Sequence, residues 1–132
     1  SFYNAELYLI SPSILKLPSY YLDYLDSKGI KYHELEDFTE VGNELDVLYC
    51  TRIQRERFAD PVEYQKVANS YEISRDNIES LAKNTIILHP LPRVNEISQT
   101  VDDDPRARYF YQAKNGVYTR AALLGIVAGS IS

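Results

Sequence analysis

The feature that most constrains this chain is a continuous apolar run, Leu7-Tyr8-Leu9-Ile10, that ends at Ser11-Pro12. A run without polar alternation is what a strand covered on both faces of a parallel sheet carries. Ile30 to Leu35 reads as a second strand. Leu45 to Thr51, built around Val47-Leu48-Tyr49-Cys50, reads as a third, and Thr85 to Leu88, before Pro90, as a fourth. Between them lie helix signals. Ser19 caps an expected helix over about Ser19 to Lys28 with Tyr21, Leu22 and Leu25 at helical spacing, and Gly29 comes next, where a left-handed residue ends a helix. Asp60-Pro61 with Glu63 starts another, and Ser74 a third using Ile78, Leu81 and Ala82. Asp104-Pro105 repeats the signature before Arg106 to Gln112. Asn115-Gly116 is then expected to break the chain ahead of a last helix from about Tyr118. The expected fold is α/β, a parallel sheet of about four strands flanked by helices.

The last helix is apolar almost all round, through Ala121, Ala122, Leu123, Leu124, Ile126, Val127 and Ala128. A helix lying on one sheet needs only one apolar stripe. The sequence therefore predicts that something outside this chain covers its other face; burial within the domain is the alternative.

Length and composition narrow the function classes. A chain of 132 residues is expected to form one domain around one core. With 45% hydrophobic and 25% charged residues, neither disorder nor a fibrous repeat is indicated. A net charge of -5 argues against a nucleic-acid surface. The longest apolar stretch, Ala121 to Ala128, falls short of the roughly 20 residues a membrane helix needs, so no membrane partner is expected and the cytoplasm is the default location. The single cysteine, Cys50, cannot form an internal disulfide, and two distant histidines lack ligand spacing, so no metal is expected.

Ligands of parallel sheets bind beyond the carboxyl ends of strands, which directs attention to the segments after Cys50 and Leu88. The third strand runs into Thr51-Arg52-Ile53-Gln54-Arg55-Glu56-Arg57. In an extended stretch Arg52 and Gln54 point the same way. A guanidinium grips a carboxylate through two parallel hydrogen bonds and the amide adds a neutral donor, which suits a small dicarboxylate or its amine-bearing relative. Read without context, arginines near Glu56 are a solvated ion-pair face. The fourth strand runs into His89-Pro90-Leu91-Pro92-Arg93. Its two prolines remove backbone donors and leave carbonyls to face a ligand, and X-Pro bonds tolerate a cis peptide. Composition alone favours a plain strand terminator.

As a pair, these segments resemble the aspartate carbamoyltransferases. Asp46 to Arg57 is similar to that family's strand and substrate segment, and His89-Pro90-Leu91-Pro92-Arg93-Val94-Asn95-Glu96-Ile97 to its proline-rich signature. Leu9-Ile10-Ser11-Pro12, Leu25-Asp26-Ser27-Lys28-Gly29, Tyr109-Phe110 with Gln112, and Asn115-Gly116 extend the resemblance over essentially the whole chain. It implies transfer of the carbamoyl group of carbamoyl phosphate to the amine of L-aspartate, in pyrimidine biosynthesis, with no organic cofactor. By matching position, Arg52 binds an aspartate carboxylate with Gln54 beside it, and the carbonyls of Leu91 and Pro92 accept hydrogen bonds from the reacting nitrogens. A cis Leu91-Pro92 bond is expected. Glu56 steadies Arg52 or its neighbours, Arg57 and Tyr64 fall in a mobile closing loop, His89 supports the turn, and Cys50 is core. Asn95 stands where close relatives often have aspartate, which puts the regulatory contact made there in doubt.

The resemblance also implies missing parts. The carbamoyl phosphate segment, a further aspartate-binding arginine and the sheet's central strand have no counterpart here. The chain is therefore expected to be the aspartate-binding domain of a longer two-domain catalytic chain, an incomplete Rossmann-like domain inactive alone. Family members form trimers, and some add zinc-bearing regulatory chains. An ornithine-type carbamoyltransferase is disfavoured because that family carries cysteine where this chain has Pro90. A non-catalytic structural relative stays open, and a dinucleotide fold is set aside for want of Gly-x-Gly-x-x-Gly.

Overall fold

Parallel strand pairing organises the chain, which a computed structural model describes over residues 4–68 and 70–130, with Arg57 described in its backbone alone. Two compact units, Ser1–Glu40 and Val41–Ser132, are taken separately.

In the first unit, β1 (Leu7–Ile10) lies parallel to β2 (Tyr32–Leu35), with Leu7 opposite Tyr32 and Ile10 opposite Leu35. The crossover holds α1 (Ser19–Ser27). Ser19 is its first helical residue rather than its cap. Pro18 occupies the cap position without a side-chain acceptor, so the helix starts from a backbone fixed by the ring at φ -56°. Gly29 ends the helix as expected, with φ +62°, and its N–H bonds Asp26 O at 3.0 Å.

In the second unit, β3 (Val47–Tyr49) and β4 (Ile86–Leu88) pair in parallel, Val47 against Ile86 and Tyr49 against Leu88. Bonds from Ile86 N to Asp46 O and from Cys50 N to Leu88 O, both 2.9 Å, extend the ladder at each end. The α/β reading with parallel strands holds, but the four strands form two separate pairs rather than one sheet. Leu48 and Ile87 face inward and are buried, whereas Val47, Tyr49 and Ile86 stay exposed. The inner layer includes Ile73, Ile78, Ile97, Val101 and Tyr109, each at most 2% exposed.

Helix α2 (Pro61–Val67) begins as the sequence predicts, with Asp60 Oδ1 accepting from Val62 N at 2.8 Å. The helix expected from Ser74 is a short turn instead. Asn77 Oδ1 takes the Ser74 N–H, its Nδ2 donates to Glu72 O, and Ile78 N bonds Ser74 O at 3.2 Å, so a helix start is made at Ser74 but only the 3-10 turn Ile78–Ser80 follows it. After Asp104-Pro105 there is likewise a turn, and α3 (Tyr109–Val127) starts later and runs unbroken through Asn115-Gly116. A glycine within a helix costs only about 1 kcal/mol, too little to interrupt one this long. On α3, Val117, Leu123, Leu124, Ile126 and Val127 are exposed. No helix of the described residues is long and apolar enough to cross a membrane.

Candidate functional site

The C-terminal ends of β3 and β4 lie side by side, so Thr51-Arg52 and His89-Leu91 leave the sheet at the same edge. Arg52, Ile53, Tyr64 and Tyr71 then share a narrow recess with Val94, Asn95 and Glu96. The arginine segment and the segment continuing from the proline turn therefore meet at one place. Of the residues predicted from sequence, Arg52 and Tyr64 line this recess. Gln54, half-buried in extended backbone just after it, is not among the lining residues. Leu91 and Pro92 form the adjoining turn through a cis peptide bond, with Leu91 at φ +50°. The Arg57 side chain lies outside the described residues.

Each wall has an identifiable support. Arg52 is held by Glu56, one turn on, at 2.5 Å from Nη2 to Oε1. Tyr71 donates its hydroxyl to Thr51 O at 2.6 Å and so fixes the residue before Arg52. Burial first, then the nearby Cys50 and Glu96, pushes the Tyr71 phenol upward, which keeps it a donor. Tyr64 packs edge-on against Phe58, joining α2 to the loop that precedes it.

The proline turn is held by a buried chain of hydrogen bonds. His89, 1% exposed, accepts the Leu91 N–H at Nδ1 (2.9 Å) and faces Glu96 Oε1 from Nε2 (2.7 Å). Because Nδ1 must present its lone pair to an amide donor, the ring proton lies on Nε2 and points at the carboxylate. Glu96 Oε2 accepts the N–H groups of Val94 and Asn95, both at 3.1 Å. The Gln112 side chain, from α3, accepts the His89 N–H at 2.9 Å and donates to Tyr49 OH at 3.2 Å, linking the turn to β3. Arg93 leaves the turn to pair with Asp102, which also accepts from Tyr109 OH at 2.5 Å. It is held by the fold rather than presented to a ligand.

Sequence reasoning does not single out Tyr71, Glu96 or the bridging role of Gln112. Tyr71 is a lone tyrosine in a loop and carries no local signal. Cys50 is buried, and desolvation with Glu96 nearby raises its thiol to about 12, as suits a core residue. Among the described residues no cluster of His, Cys, Asp and Glu is placed to hold a metal ion.

Residues 1–127 match the model of the aspartate/ornithine carbamoyltransferase Asp/Orn binding domain. The chain belongs to this family. It is 48% identical over 130 residues to the aspartate carbamoyltransferase catalytic subunit of Brachyspira hyodysenteriae, covering 98% of this chain and 36% of that protein. Among solved structures, the catalytic subunit of M. jannaschii aspartate transcarbamoylase superposes with a TM-score of 0.82 at 45% identity, over 96% of this chain and 42% of the other. Aspartate transcarbamoylase from Trypanosoma cruzi, in complex with carbamoyl phosphate and aspartate, superposes with a TM-score of 0.80 at 35% identity, over 92% and 41%. The chain thus spans about two fifths of the length of the family members it matches.

Proposed function

We propose that this chain is the L-aspartate-binding half of an aspartate carbamoyltransferase, which moves the carbamoyl group of carbamoyl phosphate onto the amine of L-aspartate in pyrimidine biosynthesis. The observation that carries this reading is the meeting of Arg52 with the segment leaving the Leu91-Pro92 turn, at the carboxyl ends of adjacent parallel strands. A guanidinium there holds a carboxylate by two parallel bonds, Gln54 adds a neutral donor, and the Leu91 and Pro92 carbonyls accept from nitrogen. Such a site works by orientation: the amine is held at attack distance while groups elsewhere stabilise charge on the carbamoyl oxygen. Glu56 steadies Arg52, and Tyr64, which lies on α2 rather than in a loop, together with Arg57 in the turn before it belongs to a segment that closes over the substrates and excludes water.

On this reading, the carbamoyl phosphate domain is supplied by another part of a longer chain. The exposed apolar faces of α3 and of the β3–β4 pair support that view, since each needs a partner. The working enzyme is a cytoplasmic homotrimer, open to the addition of regulatory chains, and residues 1–132 alone bind aspartate weakly and catalyse nothing. Pro90 and the aspartate carbamoyltransferase names of the relatives favour aspartate over ornithine as the acceptor.

The test is carbamoyl aspartate formation by the full-length chain, with Arg52→Ala alongside. Loss of about 100-fold or more in kcat/KM for aspartate is expected when a charged, bidentate contact disappears. Normal turnover in Arg52→Ala refutes the assigned role, and acceptance of ornithine in place of aspartate refutes the substrate.

A further inference from the structure

We infer that His89 and Glu96 form a positioning pair whose hydrogen bonds, converging on the Glu96 carboxylate from both sides, set the Leu91-Pro92 turn for the reaction. The inference rests on the aspartate carbamoyltransferase reading and assigns a positioning role to His89, which is buried, and to Glu96, which lines the recess.

The direction of the chain is fixed at both ends by backbone amides, which only donate. Leu91 N–H points into His89 Nδ1, Nε2–H points into Glu96 Oε1, and Val94 and Asn95 N–H point into Glu96 Oε2. Three amides that flank Pro92 on either side are thereby tied to one buried pair, whose side chains are 1% and 7% exposed. A ligand has no access to His89, so a base role is not available to it. What the pair controls is where the peptide planes around Leu91 and Pro92 face, and those planes carry the carbonyls proposed to meet the reacting nitrogen. A buried carboxylate with both oxygens occupied is a costly group to keep unless every bond is made, so the arrangement has one well-satisfied geometry.

Two substitutions separate the two ends of the imidazole. In His89→Asn the side-chain oxygen falls near the position of Nδ1 and still accepts from Leu91 N–H, while the link to Glu96 is lost. In His89→Gln the terminal amide falls near the position of Nε2 and still reaches Glu96, while Leu91 N–H is orphaned. Glu96→Gln keeps the shape, but its NH2 must face either Nε2–H or the two loop amides, a donor against a donor whichever way it turns.

The experiment measures kcat and the KM for aspartate in the full-length enzyme and these three variants, with thermal melting to establish the folded fraction. His89→Gln and Glu96→Gln should each lose about 100-fold in kcat, the scale of an ångström of misplacement at a reacting group, with KM changed much less. His89→Asn should retain about 10-fold more kcat than His89→Gln. A pair that only packs the core would lower melting temperature in all three and leave kcat per folded enzyme alike. That result, or equal kcat for the Asn and Gln variants, overturns the inference even if a variant folds poorly, because the others still report. If full-length enzyme makes no carbamoyl aspartate, the substrate reading falls and this inference with it; if it does and the variants do not split, this inference alone falls.

Discussion

The Arg52 guanidinium meets the Glu56 carboxylate through both terminal nitrogens, at 2.5 Å from Nη2 to Oε1 and 3.4 Å from Nη1 to Oε2. Both side chains remain substantially exposed, so the pair adds little to folding and acts on where Arg52 points. Glu56→Gln should therefore shift stability by no more than about 0.5 kcal/mol in urea unfolding. In the full-length enzyme it should raise the KM for aspartate about 10-fold, because an unsteadied arginine must be ordered by the substrate itself. A large stability loss with unchanged KM would place Glu56 in the fold rather than at the site.

Asp102 is expected to give the folded chain an acid-sensitive component. Its hydrogen bonds from Arg93, and then from Tyr109, hold its carboxyl below the usual range, and Arg106 does the same for Asp104. A depressed folded value means that the stabilisation is fully present above the unfolded carboxylate value, near about 3.9, and is lost as pH falls through the folded one. Unfolding free energy should thus decline below about pH 4, and Asp102→Asn should remove part of that slope. At about pH 7 the variant should be less stable by about 2 kcal/mol, the scale of a charge-assisted hydrogen bond left unmade. An unchanged acid slope in Asp102→Asn would show that the pair contributes nothing to it.

Tyr109 adds the opposite limit. Burial first, then Asp102, raises its phenol, so the fold favours the protonated form and loses stability as pH climbs past the unfolded value of about 10. Tyr109→Phe should flatten the alkaline limb measured by the same unfolding curves.

Much of this is legible in the sequence, and the failures have local causes. The strands and the edge they share come from apolar runs that end in charged or proline-rich segments, which is why Arg52 and the Leu91-Pro92 turn can be found from sequence. The roles of Gln112, Tyr71 and Glu96 cannot, because what they do depends on partners that only folding reveals: Gln112 reaches Tyr49 across 63 positions, and Tyr71 reaches Thr51 across 20. The helix signal at Ser74 marks a real start, since Asn77 accepts the Ser74 N–H and Ile78 N bonds Ser74 O, but a start signal does not specify length and only a short turn follows. The Asn115-Gly116 break signal misleads because a turn dipeptide carries weight in an isolated stretch but not inside nineteen residues of continuous helix. The division into two strand pairs is not legible, because strand signals specify extended chain, not which edges meet.

Cys50 should behave as an inert thiol. It is 6% exposed, and burial raises it to about 12, so almost no thiolate exists near neutral pH. In this chain, which has no other cysteine, alkylation at about pH 8 should proceed at the rate of unfolding and accelerate with sub-denaturing urea. Rapid labelling of the folded chain would mean that the end of β3 opens far more readily than its packing implies.

Gly42 tests the packing at the amino ends of β3 and β4, opposite the site. A Cβ added there would lie 2.7 Å from both Ser80 O and Ser80 Oγ and 2.9 Å from Ser80 C, distances no real contact keeps. Two of those atoms are backbone, so rotating the serine side chain relieves only one clash. The turn Gly42–Glu44 would have to move off the turn Ile78–Ser80, straining the Ala82 N–H bond to Gly42 O and the burial of Ile78. Gly42→Ala should consequently destabilise the chain by about 1–3 kcal/mol, as overpacking does. Adding Ser80→Gly to it should recover little, since the carbonyl clash stays. Full recovery in the double variant would show that the hydroxyl alone made the contact tight and that the two turns are free to separate.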